Sequence, residues 1–493
     1  MKLIPVICAL ICLMLSACST PSGYQRPVIT LPEKWQTMPE QTTALPDNAP
    51  WWQAFADPQL DLLMAEAKHL NPDIQRARIL LRKSRAEYQS ISAMRNPALQ
   101  GNALSKREHE SANIDSSTFS QPGETDSLFQ FGFDASWELD FFGVRHQLSD
   151  AALAQTEATL AGLANVSVTM LAEVARNYIE LRKAEALIAA AQEDEETARN
   201  MLELVRARSH AGFASGADLI TAETGLRSAQ MALVPLRVMK NVALNRLSVL
   251  LGRYPGELQL SRFQQLPVTP VALPSALPSE LLRQRPDILA AEKLLAAASA
   301  RAGAAQAEWY PRFSLLGQIG LASSVFGKLA EGASRIWRIG PSLSWPLLRG
   351  GQIAATIQVR NAEQQQALII YRQTILQATE DVENSLTGYE QEKKLQAQYS
   401  ENVTLAQKRL TQAESHYAAG LSDYRAVLHA RHTWITTRQE QIRSTAALAS
   451  SWIAINKAFA GHLYHSSAES QLNDTDSCFQ KQTPDNSTCI TSH

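Results

Sequence analysis

NPDIQRARILLRKSRAEYQSISAMRNPAL, residues 71–99, and RPDILAAEKLLAAASARAGAAQAEWYPRFSL, residues 285–315, are two versions of one segment. Pro72, Asp73 and Ile74 recur as Pro286, Asp287 and Ile288, and Pro97 recurs as Pro311 at the same offset. Further along, a slightly shorter offset aligns Ser136 and Trp137 with Ser344 and Trp345, Gly143 with Gly351, Gly212 with Gly420, and Ala222 with Ala430. Two copies of one unit therefore occupy most of the chain, and repeated units of this kind bury their apolar faces against each other more effectively than alone.

Each copy reads as helix, two strands, long helix, tight turn, long helix. In copy one Leu160, Leu163, Ser167, Met170, Val174, Tyr178 and Leu181 recur at three and four residues, and Leu219, Ala222, Leu226, Ala229, Leu233 and Leu236 do so after Gly212, the spacing of an amphipathic helix. Val144 to His210 holds no proline and only one glycine, Gly162, so as a single helix it would reach roughly 100 Å. The run from Gln352 to about Ala418 does the same. Helices of this length cannot bury a stripe inside a globule and must pack side by side as a coiled-coil-like array. Pro235 interrupts the second helix of copy one where copy two has Arg443, which predicts a kink in one of them only.

Between the short and long helices the period changes to two. Phe129, Phe131, Phe133, Ala135, Trp137 and Leu139 alternate with Gln130, Gly132, Asp134, Ser136 and Glu138. Copy two repeats this with Trp337, Ile339, Leu343, Trp345 and Leu347 against Arg338, Gly340, Ser342 and Ser344. A preceding strand is suggested by Leu99, Gly101 and Ala103 and by Phe313, Leu315, Gly317, Ile319 and Leu321, with polar or Gly-rich connections at about 106–126 and 322–334. Apolar-out, polar-in alternation with aromatic ends is the pattern of transmembrane β-strands. It assigns Phe129, Phe131, Phe133, Trp137, Trp337, Ile339, Leu343 and Trp345 to a membrane-facing surface, although Pro341 sits less comfortably in a strand. Four strands cannot close a barrel in lipid, so the chain must oligomerise. Two, three or four copies would supply about eight, twelve or sixteen strands, and the pattern alone does not choose among them.

The chain has 493 residues, a formal net charge of −2, and 22 Gly and 22 Pro gathered at a few places. Lys and Arg are interspersed with Asp and Glu, so no basic field for nucleic acid exists. Residues 1–17, with Lys2 and an apolar run from Leu3 to Leu15, read as an export signal too short to span a bilayer. The ending Leu15-Ser16-Ala17-Cys18 resembles the lipobox of bacterial lipoproteins, which implies N-palmitoyl and S-diacylglycerol groups on Cys18. Ser19 in place of Asp favours the outer membrane. Residues 18–58 form a Pro-rich strap ending at Asp57-Pro58, a helix N-cap with proline in the first turn. The first repeat then spans 59–252, a Pro-rich connector 253–280, the second repeat 281–461, and a polar tail 462–493. In that tail Cys478 and Cys489 either pair in an oxidising compartment or remain free.

Catalytic patterns are missing, which argues against an enzyme. Gly212-Phe213-Ala214-Ser215-Gly216 is not a nucleophile elbow and falls between helices. No Walker or dinucleotide fingerprint occurs. His429 and His432 share a helix face without a third ligand nearby, and Glu193-Asp194-Glu195-Glu196 reads as a solvated helix face.

WWQAFADPQLDLLMAEA, SWELDFFGVRHQLSDAA, LLGRYPGEL, LPSELLRQRPDILAAE and SWPLLRGGQI, in this order and spacing, resemble the TolC-like outer-membrane factors and, among them, the NodT-type efflux lipoproteins. The resemblance covers the mature chain to about Gly461 and implies a mainly-α fold with β. Three copies would form a long α-helical tunnel, and four transmembrane strands per chain would build a shared 12-stranded barrel. It implies no cofactor beyond the lipid on Cys18. It also implies a passive outer-membrane conduit, extending into the periplasm, for small toxic compounds delivered by a periplasmic adaptor and an inner-membrane pump. A non-conducting structural or adhesive lipoprotein on the same coiled coil is the alternative. In that family the tunnel closes at the helical turns, where Tyr417 and Asp218 match gate positions and imply a hydroxyl-to-carboxylate bond. His429 stands where relatives carry acidic residues, so three copies facing the pore would change the aperture's charge near neutral pH.

Overall fold

The computed structural model describes residues 50–109, 125–261 and 284–459, with short pieces at 24–27, 29, 34–36, 111, 113 and 265–269. The export signal, Cys18, most of the strap, residues 270–280 of the connector, and the tail with Cys478 and Cys489 lie outside the described residues.

Among the described residues, seven α-helices and four strands follow in the order expected within each copy. Copy one holds α1 (Pro58–Leu70), α2 (Pro72–Ala93), β1 (Ala98–His109), β2 (Thr125–Leu139), α3 (Val144–His210) and α4 (Gly216–Leu250). Copy two holds α5 (Pro286–Ala307), β3 (Arg312–Ser323), β4 (Arg335–Ser344), α6 (Gln352–Ala418) and α7 (Tyr424–Phe459). Helices α3 and α6 each run 67 residues, between the bounds that the proline-free stretches set. Helix α4 continues through Pro235 without division.

The helix starts are written locally. Asp57 caps α1, its Oδ1 accepting from the backbone N–H groups of Gln59 at 2.9 Å and Leu60 at 3.3 Å. Asn71 caps α2 through Asp73 and Ile74, and its Nδ2 also donates to the Leu250 carbonyl at 2.7 Å. Arg285 holds the matching place in copy two. Its guanidinium donates to the Ala458 carbonyl at 3.1 Å and pairs with Asp287 at 2.7 Å and Asp381 at 3.3 Å. Each copy thus ties the head of its short helix to the carbonyl closing its last helix, once with an amide and once with a guanidinium.

Two compact units form, one built mainly from 81–159 and 290–371, the other mainly from 160–289 and 372 onward. Compactness therefore cuts across the repeats, because the first unit's sheet takes two strands from each copy. That sheet is antiparallel in the order β1-β2-β3-β4. Strand β1 runs beyond the expected loop boundary at 106, pairing Lys106 with Leu128 and His109 with Thr125. The hydrogen-bond ladder continues where side-chain alternation has stopped, with Lys106 beside Glu108 and the His109 ring 3.0 Å from the Thr125 hydroxyl. The second connection carries 3-10 turns at Phe326–Lys328 and Gly332–Ser334. Pro341 lies opposite Leu315 in β4, the outermost strand of this chain's own sheet.

Candidate functional site

The register places Gly101, Phe133, Ile319 and Trp337 in one row of the sheet, and Leu99, Ala135, Gly317 and Ile339 in the next row on the same face. Among the described residues nothing covers that face: Trp337 is 76% exposed and Ile339 69%. Phe131, Phe133, Trp137, Leu343 and Trp345 are exposed as well. Phe129 is half-buried, packed edge-on against Phe326 with ring centroids 5.5 Å apart. The opposite face carries the row Gln100, Asp134, Gln318 and Arg338, and Asn102 donates to Asp134. One apolar and one polar face on a single layer is what separates lipid from an aqueous lumen.

Two aromatic positions repeat to the atom. The Trp137 indole N–H donates to the Arg95 carbonyl at 3.0 Å, and that of Trp345 to the Trp309 carbonyl at 3.2 Å. Each indole satisfies its polar edge on the turn entering a strand while its ring stays exposed, the arrangement suited to a membrane interface. Inside the sheet Gly132 faces Gly320. A Cβ on Gly132 would lie 2.6 Å from the Ile319 carbonyl oxygen, and one on Gly320 would lie 2.5 Å from that of Phe131, so β2 and β3 approach more closely than any side chain permits.

The helical turns are likewise duplicated. Gly212 (φ +78°) and Gly420 (φ +73°) take the left-handed conformation. Behind them the Phe213 N–H returns to the Arg208 carbonyl at 2.8 Å and that of Leu421 to His416 at 2.9 Å, closing each helix by the same motif. Leu202, Val205, Ala222, Leu410, Tyr417, Tyr424, Val427 and Trp434 form the core beneath.

Asp218 and Tyr417 occupy this region, but no hydrogen bond joins them among the described residues. Asp218 completes a capping box with Ser215, accepting from its backbone N–H at 3.0 Å and its hydroxyl at 2.8 Å, while the Asp218 N–H donates back to Ser215 Oγ at 3.2 Å. Those donors, the backbone N–H foremost, hold the Asp218 carboxyl below the usual carboxylate range, with Arg425 adding to the effect. The expected Tyr417–Asp218 bond gives way to this nearer partner. Tyr417 instead meets Arg208, whose guanidinium lies 4.5 Å from its ring centroid and donates to its carbonyl at 3.1 Å. His429 and His432 are both exposed on α7, and among the described residues no three His, Cys, Asp or Glu side chains converge on a metal position.

The acidic run on α3 corrects the sequence reading most sharply. Glu193, Asp194 and Glu195 are engaged: Asp194 with Arg431, Glu193 with Arg438 at 2.6 Å, and Glu195 with Arg199 at 2.7 Å and with the Gln230 amide at 3.2 Å. Arg431 and Arg438 lie one heptad apart on α7 and meet two consecutive acids, a match between helices that no single stretch of sequence displays.

The family profile described as Outer membrane efflux protein matches residues 63–253 and 277–461. The cation efflux system protein CusC of Escherichia coli is 28% identical over 463 residues, covering 93% of this chain and 99% of that protein. The pyoverdine export outer membrane protein OpmQ of Pseudomonas putida is 29% identical over 455 residues, covering 91% and 95%. Of solved structures, the outer-membrane channel OprN matches with a TM-score of 0.84 at 27% identity, covering 90% of this chain and 99% of that one. The open state of the Neisseria gonorrhoeae MtrE channel matches with a TM-score of 0.81 at 26% identity, covering 90% and 98%.

Proposed function

The chain belongs to the outer membrane efflux protein family, and from that premise we propose how it builds and closes its channel. It is the outer-membrane channel component of a tripartite efflux system, working with an adaptor and an inner-membrane pump that supplies the energy. The observation that carries the mechanism is the four-stranded sheet with one exposed apolar face and two unpaired edge strands, β1 and β4. Backbone groups on such edges cannot remain unpaired in lipid. Pairing β4 of one copy with β1 of the next satisfies both edges, and three copies close a 12-stranded barrel with the Phe131 and Trp337 face toward lipid and the Asp134 and Arg338 row toward the lumen. Below the membrane the long helices of the same three copies form the tunnel wall.

Acylation of Cys18 would hold each chain at the membrane independently of the barrel, since three acyl chains exceed the two signals needed for stable attachment. The tunnel closes at the Gly212 and Gly420 turns, with His429 on the α7 face that three copies would present to the aperture. Relatives named for cation efflux and for pyoverdine export match this chain over nearly their whole length, so the likeness does not select the cargo.

Purified protein reconstituted into planar bilayers should give discrete conductance steps, and detergent extracts should contain a trimer. A trimer that inserts and never conducts, in wild type or in any variant of the turns, would sink this proposal.

A further inference from the structure

The face of the sheet opposite the aromatic one carries charge at both ends and in one row between. Toward the helices Glu138 is tied to Arg145 at 2.7 Å. At the far end Lys106 pairs with Glu108. Between those ends lies the row Gln100, Asp134, Gln318 and Arg338, and the rows on either side of it, from Asn102 to Ile336 and from Ala98 to Gly340, carry no charge. Asp134 is half-buried and accepts from the Asn102 amide. Arg338 is exposed, and among the described residues no carboxylate pairs with it. Strand β3 separates the two charges, so their backbones stand about 10 Å apart.

We propose that Asp134 and Arg338 are a charge filter inside the barrel: Arg338 draws the anionic group of a passing solute, and Asp134 offsets it so that this level favours neither sign. The inference rests on the reading that three copies close a barrel around this face. In strand order the row places an acid on β2, an amide on β3, a cation on β4 and an amide on β1. Four strands hold one whole period of this alternation, so closure of β4 onto the next copy's β1 continues it unbroken, whatever the register between copies. The charges that ring the lumen then alternate in sign and sum to zero. Twelve strands about 4.8 Å apart and tilted about 40° enclose a backbone radius of roughly 12 Å. An extended arginine covers roughly half of that distance, which brings its guanidinium within one Debye length of the axis, ~8 Å at physiological salt. Low-dielectric walls concentrate the field there. The shorter Asp134 side chain stays nearer the wall with Asn102, so Arg338 acts more strongly on a solute at the axis.

The test is the reversal potential of the full-length trimer in planar bilayers under a potassium chloride gradient, which reads the cation-to-anion permeability ratio. Arg338→Gln should raise that ratio about five-fold, and Arg338→Lys, which keeps the charge, should record close to wild type. Asp134→Asn should move the ratio the other way by a smaller factor, and combining it with Arg338→Gln should bring the ratio back toward the wild-type value. Arg335→Gln removes the same charge from the aromatic face, where Arg335 lies in the row of Leu321 and Phe131, and should leave the ratio unchanged. A wild-type ratio from Arg338→Gln in a conducting trimer would overturn the filter and leave the channel reading standing. So would an equal shift from Arg335→Gln, or shifts of the same sign from Arg338→Gln and Asp134→Asn. Wild-type trimers that insert and never conduct would remove the channel reading and the filter with it.

Discussion

Gly212 and Gly420 hold positive φ angles in open surroundings, where an added Cβ would meet nothing within 4 Å. Alanine at either position is therefore expected to cost only the left-handed backbone penalty, about 1–2 kcal/mol, without any clash. Next to Gly212 the capping box makes a pH-dependent prediction. The folded-state value of Asp218 lies below its ordinary one, so its contribution is complete above the ordinary carboxylate value and is lost as pH falls through the lowered one. Ser215→Ala should cost about 1 kcal/mol near pH 7; in thermal unfolding the part carried by the hydroxyl-to-carboxylate bond should be lost as pH falls through the lowered Asp218 value, while the part carried by the Asp218 N–H to Ser215 Oγ bond remains. A difference that does not change with pH would show that the hydroxyl-to-carboxylate bond contributes nothing. Reading Asp218 as a gate partner passed over its nearest donor, Ser215, three residues earlier.

At the scale of the element, the strands make the two-faced prediction. Arginine at Phe131 should cost about 2–4 kcal/mol if that position lies near the bilayer midplane, and arginine at Ser136, on the other face, should cost little. The detergent-resistant oligomer measures both, and equal losses would contradict the assignment of faces. Gly320→Val should act through a different cause, blocking β2 from β3 at the Phe131 carbonyl, and should abolish assembly whichever face meets lipid. In the helices, Arg431→Met leaves Asp194 charged and enclosed, at an expected cost of about 3–5 kcal/mol. Restoring neutrality with Asp194→Asn in the same chain should recover much of that loss in a double-mutant cycle. Additive losses would mean that the two residues do not act as a pair.

For the whole molecule, anchoring through Cys18 and assembly are expected to be separable. Cys18→Ala should abolish incorporation of labelled palmitate while trimers still form, because the barrel holds the chain in the membrane by itself. Absence of palmitate from the wild-type protein would refute acylation. The two copies also predict an asymmetry. Asn71 and Arg285 make equivalent ties to Leu250 and Ala458, but Arg285 is buried and also pairs with a partly exposed Asp287 and an exposed Asp381. Arg285→Ala, which removes the carbonyl bond together with both ion pairs, should therefore destabilise the chain more than Asn71→Ala, which removes a buried hydrogen bond at a cost of about 1–3 kcal/mol.

The sequence by itself determined the repeat, the bounds of the 67-residue helices and the alternating strand faces. Each follows from periods and breakers a few residues long, and local backbone geometry obeys these wherever no distant group competes. Tertiary structure alone decided which charges meet. Arg431 reaches Asp194, 237 positions away in the chain, and Arg208 reaches Tyr417, 209 positions away, so the acidic run read as solvated and the contact of Arg208 with Tyr417 left no mark in the sequence. The end of β1 escaped for the opposite reason, since Lys106 to His109 are held by a ladder of backbone hydrogen bonds that leaves no mark on side-chain pattern. Period and propensity act between neighbours along the chain, whereas pairing of charge depends on which helix faces pack together, and packing is settled only when the whole bundle has formed.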